Sequence, residues 1–486
     1  MEIGMNKIKK ALTNTSLFRQ CYILCLFACN ISYIHFAAYG VLALLVIWGT
    51  FLVVYNEITK RTALKTRYGF WLIAFLFFSV VTMLVHLLDN FLINFVFVLH
   101  LAICFFIFYS VHTEKKLNFR RELYNIARIL VYVTTVLGIV GLALLVIGID
   151  FEFLSVKFIV YENRFTGLFI NPNQLGFIAV VSIMCCHMLV KKDFIRLSGC
   201  RRVSRIWIGA CVAVNSISLL LCDSNGAIIL LIGYAFFFVV YKMFGTENKF
   251  NFFQIFVRSM ASVLAGLVIV SSIFLLRNVC QLGFAQLIKA NQTITQPIPV
   301  TPEKNNPPVV TFEHENKNVD SGRLTLWSQG AEMFLSHPVL GVGKGNIYEY
   351  GNRMFENGVK FSNKYGDLAP ILTDFHNGYL TILVCSGAIG FILFCIFGIR
   401  FFAATTKHVM RDDSLQQSIF PCMYSFLCSY VFYSFIEVTL LFNIMFTVLF
   451  FWLILGYTSC FLTKNIPDHP VEHVTILGIK LRKTLF

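Results

Sequence analysis

Charged residues are scarce in this sequence. Only 13% of its 486 residues are Asp, Glu, Lys or Arg, whereas 57% are hydrophobic and 52 are Phe. A soluble domain of this size does not need so much apolar side chain, so the composition excludes an ordinary soluble protein. It predicts an all-α polytopic membrane protein.

Three further features are missing. No group of Cys and His has the spacing of metal ligands, so no metal site is predicted. Of the 15 Cys only Cys280 lies clearly in a predicted outside loop, which argues against a disulfide framework. No small-residue cleavage site follows the basic N-terminus, and we expect the first apolar segment to be a retained span rather than a signal peptide.

Apolar runs of about 20 residues, enough to cross a bilayer as a helix, recur along the whole chain. We predict about twelve transmembrane helices, roughly at residues 20–36, 38–55, 69–87, 91–111, 127–148, 165–190, 206–222, 226–244, 259–276, 377–399, 418–437 and 440–461. Residues 1–276 would form an N-terminal bundle, 277–376 a large extracytoplasmic loop, and 377–486 three more helices with a cytoplasmic tail.

The few charges are distributed unevenly. The chain has 40 Lys and Arg against 25 Asp and Glu, a formal charge of +15, and most basic residues fall on one side of the predicted helices. By the positive-inside rule the basic segments, such as 60–67, 114–121 and 191–205, are cytoplasmic, as are both termini. Because these residues are divided among many short loops, they argue against a nucleic-acid-binding surface.

The loop at 277–376 contains no spanning segment. Apolar residues at helical spacing, such as Leu324, Trp327 and Phe334, predict an amphipathic helix near 321–337. Long structured loops commonly carry function, although a transporter can have one as decoration.

Polar residues interrupt an apolar run in "NRFTGLFINPNQLGF", residues 163–177. Asn171 followed by Pro172 predicts a helix N-cap and first helical position, and residues 164–170 then form an interfacial or re-entrant start. The alternative for Arg164 is an arginine that snorkels to lipid headgroups, with the asparagines hydrogen-bonded to a neighbouring helix.

His376 and Asn377 stand where the loop re-enters the membrane. A helix N-terminus disfavours an imidazolium, so we expect a neutral His376 that can accept a proton, with Asp374 opposing that effect or orienting the ring. A structural histidine is the alternative. In the loop, Arg323 opens the amphipathic helix, and the glycine-rich segment around Lys344 could form an anion-binding turn or only a helix stop.

Taken in order, these motifs resemble the O-antigen ligase/polymerase family of bacterial integral-membrane glycosyltransferases. Arg-x-x-Gly and Asn-Pro-Asn lie at the start of a helix, "SGRLTLW" and "HPVLGVGKGN" follow in a large outside loop, and "HNGYLTILVCSGAIG" opens the next helix. The resemblance covers roughly residues 160–400, while the first five helices are similar only in hydropathy.

The resemblance implies a fold of the polyprenyl-dependent membrane glycosyltransferase type in the bacterial cytoplasmic (inner) membrane. Members transfer a glycan from undecaprenyl diphosphate to a glycan or lipid acceptor, with no cofactor or metal. Arg164 and Arg323 would bind the donor diphosphate and His376 would be the catalytic base. The supporting residues would be Asn171, Asn173, Asn377, Asp374 and Lys344. Membrane lipids and other polysaccharide-assembly proteins are further expected partners.

One stretch departs from the family. "CDSNGAIIL", residues 222–230, has Asn225 where the family often has an arginine next to Ser and Gly. A third cationic contact to the diphosphate is therefore missing here. Lys344 or Arg353 could replace it, and the sequence does not decide between them.

Three functions compete. The leading one is a polymerase that joins lipid-linked repeat units of a surface polysaccharide. A ligase of the same family would transfer the finished glycan to a lipid, wall or protein acceptor with the same catalytic residues. A lipid-linked oligosaccharide flippase could also bind diphosphate through arginines, but it does not need a long outside loop with a His-Asn helix start.

Overall fold

The chain is largely helical in its computed structural model, which describes residues 8–87, 89–115, 117–149, 152–153, 156–157, 159–244, 252–295, 312, 322–409, 415, 418–464, 473–476 and 479–482. The principal helices are α1 Thr15–Ala28, α2 Ile34–Lys60, α3 Gly69–Val85, α4 Phe91–Ile103, α5 Phe119–Ile147, α6 Pro172–Leu189, α7 Arg205–Leu221, α8 Asn225–Phe244, α9 Phe252–Thr295, α10 Arg323–Ser336, α11 Ile347–Met354, α12 Gly378–Val409, α13 Phe420–Tyr433 and α14 Phe446–Lys464. Shorter helical pieces are Thr62–Lys65, Cys104–Phe108, Tyr109–Thr113, Lys192–Ser198, Lys344–Asn346, Ser362–Leu368 and Ala369–Leu372.

The described strands form three small antiparallel pairs. They are β1 Glu152–Phe153 with β2 Val156–Lys157, β3 Ile159–Tyr161 with β4 Arg164–Gly167, and β5 His473–Ile476 with β6 Ile479–Arg482.

Eight helical segments in the described part are long and apolar enough to cross a membrane: Ile34–Lys60, Phe91–Thr113, Phe119–Ile147, Pro172–Leu189, Asn225–Phe244, Phe253–Asn291, Gly378–His408 and Phe446–Thr463. The shorter apolar helices are α1, α3 and α7. The prediction of an all-α polytopic membrane protein is therefore confirmed, while the count of about twelve spans stays a prediction.

Helix α9 is much longer than the span expected for it at 259–276. It has 44 residues and ends at Thr295, so the first part of the predicted loop continues this helix. A helix, α10, spans Arg323–Ser336, close to the predicted 321–337.

The polar stretch before α6 is covered by protein. The Asn171 side chain accepts a hydrogen bond from Asn173 N at 2.8 Å, which confirms the predicted N-cap. The segment from Arg164 to Gly167 is strand β4, buried along its whole length. The residues that follow β4 pair with the turn after α1: Ser32 N donates to Leu168 O at 3.0 Å. Backbone that does not form a helix is thus hydrogen-bonded within the protein, as it must be near hydrocarbon.

Helix α12 is broken at Gly387, where φ is +63° and ψ is −172°. The loop backbone enters the break: Ala388 N donates to Pro338 O at 2.8 Å, and Val342 N donates to Val384 O at 2.9 Å. The segment that follows α10 is therefore attached to the middle of α12.

A network of buried charged residues joins three helices at the end of the bundle opposite to the polar stretch before α6. Arg19 in α1 donates through Nε to Glu122 of α5 at 2.7 Å, and the Tyr457 hydroxyl of α14 donates to the same carboxylate at 2.8 Å. Lys60, Lys115 and Thr463 line one cavity nearby. Segments predicted to lie inside the cell thus share one end of the bundle.

Candidate active site

Glu437 joins two of the predicted site residues. Arg323 Nη2 donates to Glu437 Oε1 at 3.3 Å, and His376 Nδ1 lies 3.3 Å from Glu437 Oε2. Asp374 Oδ1 lies 3.9 Å from the same ring nitrogen. The Glu437 side chain is 19% exposed and that of His376 is 31% exposed, so this cluster is accessible but largely enclosed.

The start of α12 fixes His376. The Asn377 side chain accepts hydrogen bonds from Tyr379 N and Leu380 N, both at 3.0 Å, and so caps the helix. Gly378 N donates to Ser434 O at 2.7 Å, which attaches this cap to the connection that carries Glu437. His376 itself has φ +46°, a left-handed conformation uncommon for a residue other than glycine.

Helix α10 lies across the same region and brings Arg323 to it. Gly330 allows this approach, because a Cβ there would lie 2.7 Å from Leu380 Cδ2. Among the described residues, Arg323 Nε and Trp327 Nε1 are buried donors that have no hydrogen-bond partner. Two such donors four residues apart on one helix can bind an oxygen-rich group such as a phosphate or a sugar.

The charges around His376 overturn one prediction. Burial by itself lowers the pKa of His376, but Glu437 and then Asp374 raise it to about 9. Burial also opposes ionisation of Glu437, yet His376 and Arg323 outweigh burial and lower its pKa. The expectation of a neutral imidazole is therefore wrong for this arrangement: a carboxylate in contact has a larger effect than the partial charge of a helix end.

Arg164 is buried in a second cluster. It is 4% exposed, and it donates through Nε to Cys222 O at 2.9 Å and through Nη2 to Asn173 Oδ1 at 2.7 Å. Snorkelling to headgroups is therefore excluded, and Asn173 orients the arginine while Asn171 caps α6. Burial lowers the pKa of Arg164, but a guanidinium begins so far above neutral pH that it keeps its charge.

The two clusters border the same side chain. Tyr433 of α13 is 3% exposed and lies near Glu437, Arg323 and Cys222. Its ring lies 3.1 Å from the position that a Cβ would take at Gly226. The structure therefore brings Arg323, His376 and Asp374 together, and Tyr433 lies near both this group and Cys222, whose carbonyl binds Arg164.

Lys344 supports the His376 segment from behind. It is 1% exposed and its Nζ donates to the carbonyl of Thr373. The glycine-rich turn does not offer its amides to an anion: Gly343 N donates to Cys385 O at 3.0 Å and Gly345 N donates to Asn94 Oδ1 at 2.8 Å. The anion-turn interpretation is therefore wrong for these two amides.

Neither candidate for the missing cation near Asn225 is there. Lys344 is bound to Thr373, and Arg353 Nη2 donates to Asp89 Oδ1 at 3.3 Å on the exposed loop. Instead, Arg277 of α9 donates to Asn225 Oδ1 at 3.0 Å. The sequence did not indicate this residue, because α9 was expected to end at 276.

Sequence reasoning also missed Glu437 as a site residue. The only indication in the sequence is that Glu437 is an acidic residue at the end of the predicted span 418–437.

In the described part of the chain no group of three or more His, Cys, Asp and Glu could hold a metal ion.

The comparison with known protein families bears on the same region. Residues 210–395 match the family model described as O-antigen ligase. This range runs from α7 into α12 and includes Arg323 and His376, but neither Arg164 nor Glu437. No curated protein matches the chain. Over residues 210–395 the chain is therefore similar to the O-antigen ligase family, in agreement with the resemblance that its motifs show.

Proposed function

We propose that the protein is a membrane glycosyltransferase that polymerises undecaprenyl-diphosphate-linked repeat units of a surface polysaccharide. The observation that carries the proposal is the meeting of Arg323 and His376 on Glu437, beside the buried Arg164. A cationic side chain for a diphosphate and an imidazole for a hydroxyl are the two groups that glycosyl transfer from a lipid diphosphate needs.

The site would face the outside of the bacterial cytoplasmic membrane. In this proposal the chain crosses the membrane twelve times, α10 and α11 lie in the outside loop, and both termini are cytoplasmic. The basic segments then meet the cytoplasmic leaflet, as the positive-inside rule requires.

Arg164 and Arg323 bind the donor diphosphate in this proposal. The diphosphate gains negative charge as the bond from the anomeric carbon to its oxygen breaks, and a guanidinium binds phosphate oxygens in a bidentate manner at every working pH. The unpartnered Nε of Arg323 supports this role, since it is a buried donor next to the Glu437 contact. These fixed charges would make the transfer independent of metal ions.

The His376–Glu437 pair handles the proton of the acceptor. The acceptor oxygen attacks the anomeric carbon, the electrons of the breaking bond go to the diphosphate, and the hydroxyl proton goes to His376 Nε2. The Nδ1 edge remains on Glu437, which fixes the ring and stabilises the imidazolium that forms. Attack opposite the leaving group inverts the anomeric configuration.

A ligase is the second candidate, because the matching family model is described as O-antigen ligase. Both activities use the same donor site and differ in the acceptor. Glu437 and the loop contacts give no reason for a flippase, which needs no proton acceptor at the donor.

The test is a reaction of purified protein with a defined lipid-diphosphate oligosaccharide in the presence of EDTA. Chain growth without another acceptor identifies a polymerase, and transfer only after a lipid or protein acceptor is added identifies a ligase. Movement of the lipid across vesicles without transfer would contradict the enzyme. Loss of activity in EDTA would contradict metal independence, and retained anomeric configuration without a covalent intermediate would contradict single displacement.

A further inference from the structure

Arg277 reaches the Arg164 cluster from α9. Its Nη2 forms an ion pair with Asp223 and its Nη1 donates to Asn225 Oδ1 at 3.0 Å. Gln281, one turn later on α9, donates to the same Asp223 oxygen at 3.3 Å. The Asp223 side chain is 1% exposed and that of Arg277 is 17% exposed, so the guanidinium is held at the bundle but not sealed within it.

We propose that Arg277 is a third cationic ligand of the donor diphosphate, supplied by α9 in place of an arginine on α8. This inference rests on the proposed function of the site. Asn225, at the start of α8, is the contact that brings the guanidinium to this position.

Two guanidinium groups bind two residues that are adjacent in the sequence. Arg164 binds the carbonyl of Cys222, and Arg277 binds the side chain of Asp223. The charge of Arg277 also lies within range of Arg164. Glu162 is in range of Arg164 too, but it is exposed, where solvent screens its charge. Two cations thus share one buried carboxylate.

In the other half of the site, positive and negative charges are balanced. The cations Arg323 and His376 face the carboxylates of Glu437 and Asp374. Excess positive charge therefore lies on the Arg164–Arg277 side, which suits a dianionic or trianionic ligand. From the balanced half only Arg323 would reach the diphosphate, while His376 takes the proton of a neutral acceptor hydroxyl.

The position of Arg277 along α9 fits an interfacial ligand. At 1.5 Å per residue it lies about 38 Å from the start of the helix at Phe252, whereas the hydrocarbon core is about 30 Å thick. An arginine at that height can also bind headgroups by snorkelling. Arg277 turns instead towards Asp223, inside the bundle.

The experiment compares binding of undecaprenyl diphosphate to wild-type protein and variants in nanodiscs, together with transfer kinetics. Arg277→Met is expected to weaken binding and raise KM for the donor about 10- to 100-fold, the usual effect of losing a charge-assisted hydrogen bond. Arg258→Met is the matched control, because Arg258 also connects α9 to α8, through the Met243 carbonyl, but near the other end of α9. It should bind as the wild type does.

Two further variants separate ligand binding from folding. Arg277→Lys keeps a charge for Asp223 but not the bidentate fork, so its melting temperature should be unchanged while donor binding is weakened. In the double variant Arg277→Met with Asn225→Arg, a guanidinium returns from α8 and donor binding should recover.

The outcomes distinguish the two proposals. If wild-type protein binds undecaprenyl diphosphate and folded Arg277→Met binds it equally well, the inference about Arg277 fails and the proposed function stands. A folded double variant that is no better than Arg277→Met alone would also overturn the inference. If the wild type neither binds nor transfers from the lipid, the proposed function fails and takes the inference with it.

Discussion

At the scale of single residues, Glu437 decides the state of the proposed base. Burial and a helix start both disfavour an imidazolium, yet the pKa of His376 is raised to about 9 because two carboxylates face the ring. At pH 7 only about one per cent of such a histidine is neutral. The proposed base is thus strong, but only a small fraction of it is in the neutral form that accepts a proton at pH 7.

The transfer rate should rise with pH below about 9. The neutral imidazole takes the proton, and its fraction increases about tenfold per pH unit until the pKa of about 9 is reached. The measurement is kcat/KM for the donor against pH from 6 to 10. A profile that is flat between pH 6.5 and 9 would contradict His376 as the base.

Glu437→Gln should move the rising limb of that profile to lower pH. The carboxylate stabilises the charged ring, so its removal lowers the pKa of His376. The neutral ring is then more abundant at pH 7 but a weaker base, and the plateau above the limb should fall. Glu356→Gln, an exposed loop carboxylate, is the control and should leave the limb near 9.

His376→Ala should lower kcat by about 100- to 10,000-fold, the usual contribution of a positioned general base. Donor binding should be kept, because the arginines remain. His337→Ala, in the same loop beside Tyr350, should retain activity. Loss of donor binding in His376→Ala without loss of kcat would assign the ring to the diphosphate instead.

The sequence predicted the residue types but not their pairing. Arg164, Arg323 and His376 stand in short motifs that can be recognised locally. Glu437 and Arg277 form contacts with residues 61 and 52 positions away, and no local spacing encodes such contacts. The neutral-histidine prediction failed for this reason, since the helix start is local and Glu437 is not.

At the scale of elements, the break in α12 holds the loop over the site. The segment after α10 fills the break, and a Cβ at Gly341 would lie 2.6 Å from Gly387 N. Because α10 carries Arg323 and the first half of α12 follows His376, this attachment fixes one relative to the other. The sequence "VCSGAIG" reads as continuous helix, so the break could not be predicted without knowing that the loop enters it.

Gly387→Ala should disturb this attachment. The combination of φ +63° and ψ −172° is essentially restricted to glycine and disfavours a residue with a Cβ by about 1–3 kcal/mol, and the new methyl group would overlap Val339 O. We expect faster proteolysis within the outside loop and at least a tenfold lower rate of transfer. Gly398→Ala is the matched control on the same helix, where a Cβ would meet nothing within 4 Å. Equal loop protection in both variants would contradict the role of the break.

At the scale of the whole molecule, two groups of charged side chains lie at opposite ends of the bundle. The Arg19–Glu122 network and the lysines around Lys60 lie at one end, and the clusters of Arg164 and Glu437 lie at the other. The division between inside and outside remains a prediction of the sequence, which rests on which loops are basic. In the proposed function, lipid-linked glycan on the outer leaflet can reach the site only if the second end faces outwards.

Orientation is tested with cysteine variants of exposed positions at the two ends. In intact spheroplasts a membrane-impermeant maleimide should label Glu356→Cys in the loop and should not label Lys65→Cys at the Lys60 end. Both should react after the membrane is permeabilised. Background from the wild type should be low, since its 15 cysteines are buried or half-buried. Labelling of Lys65→Cys before permeabilisation would place the basic end outside, and the site could then not receive a donor from the outer leaflet.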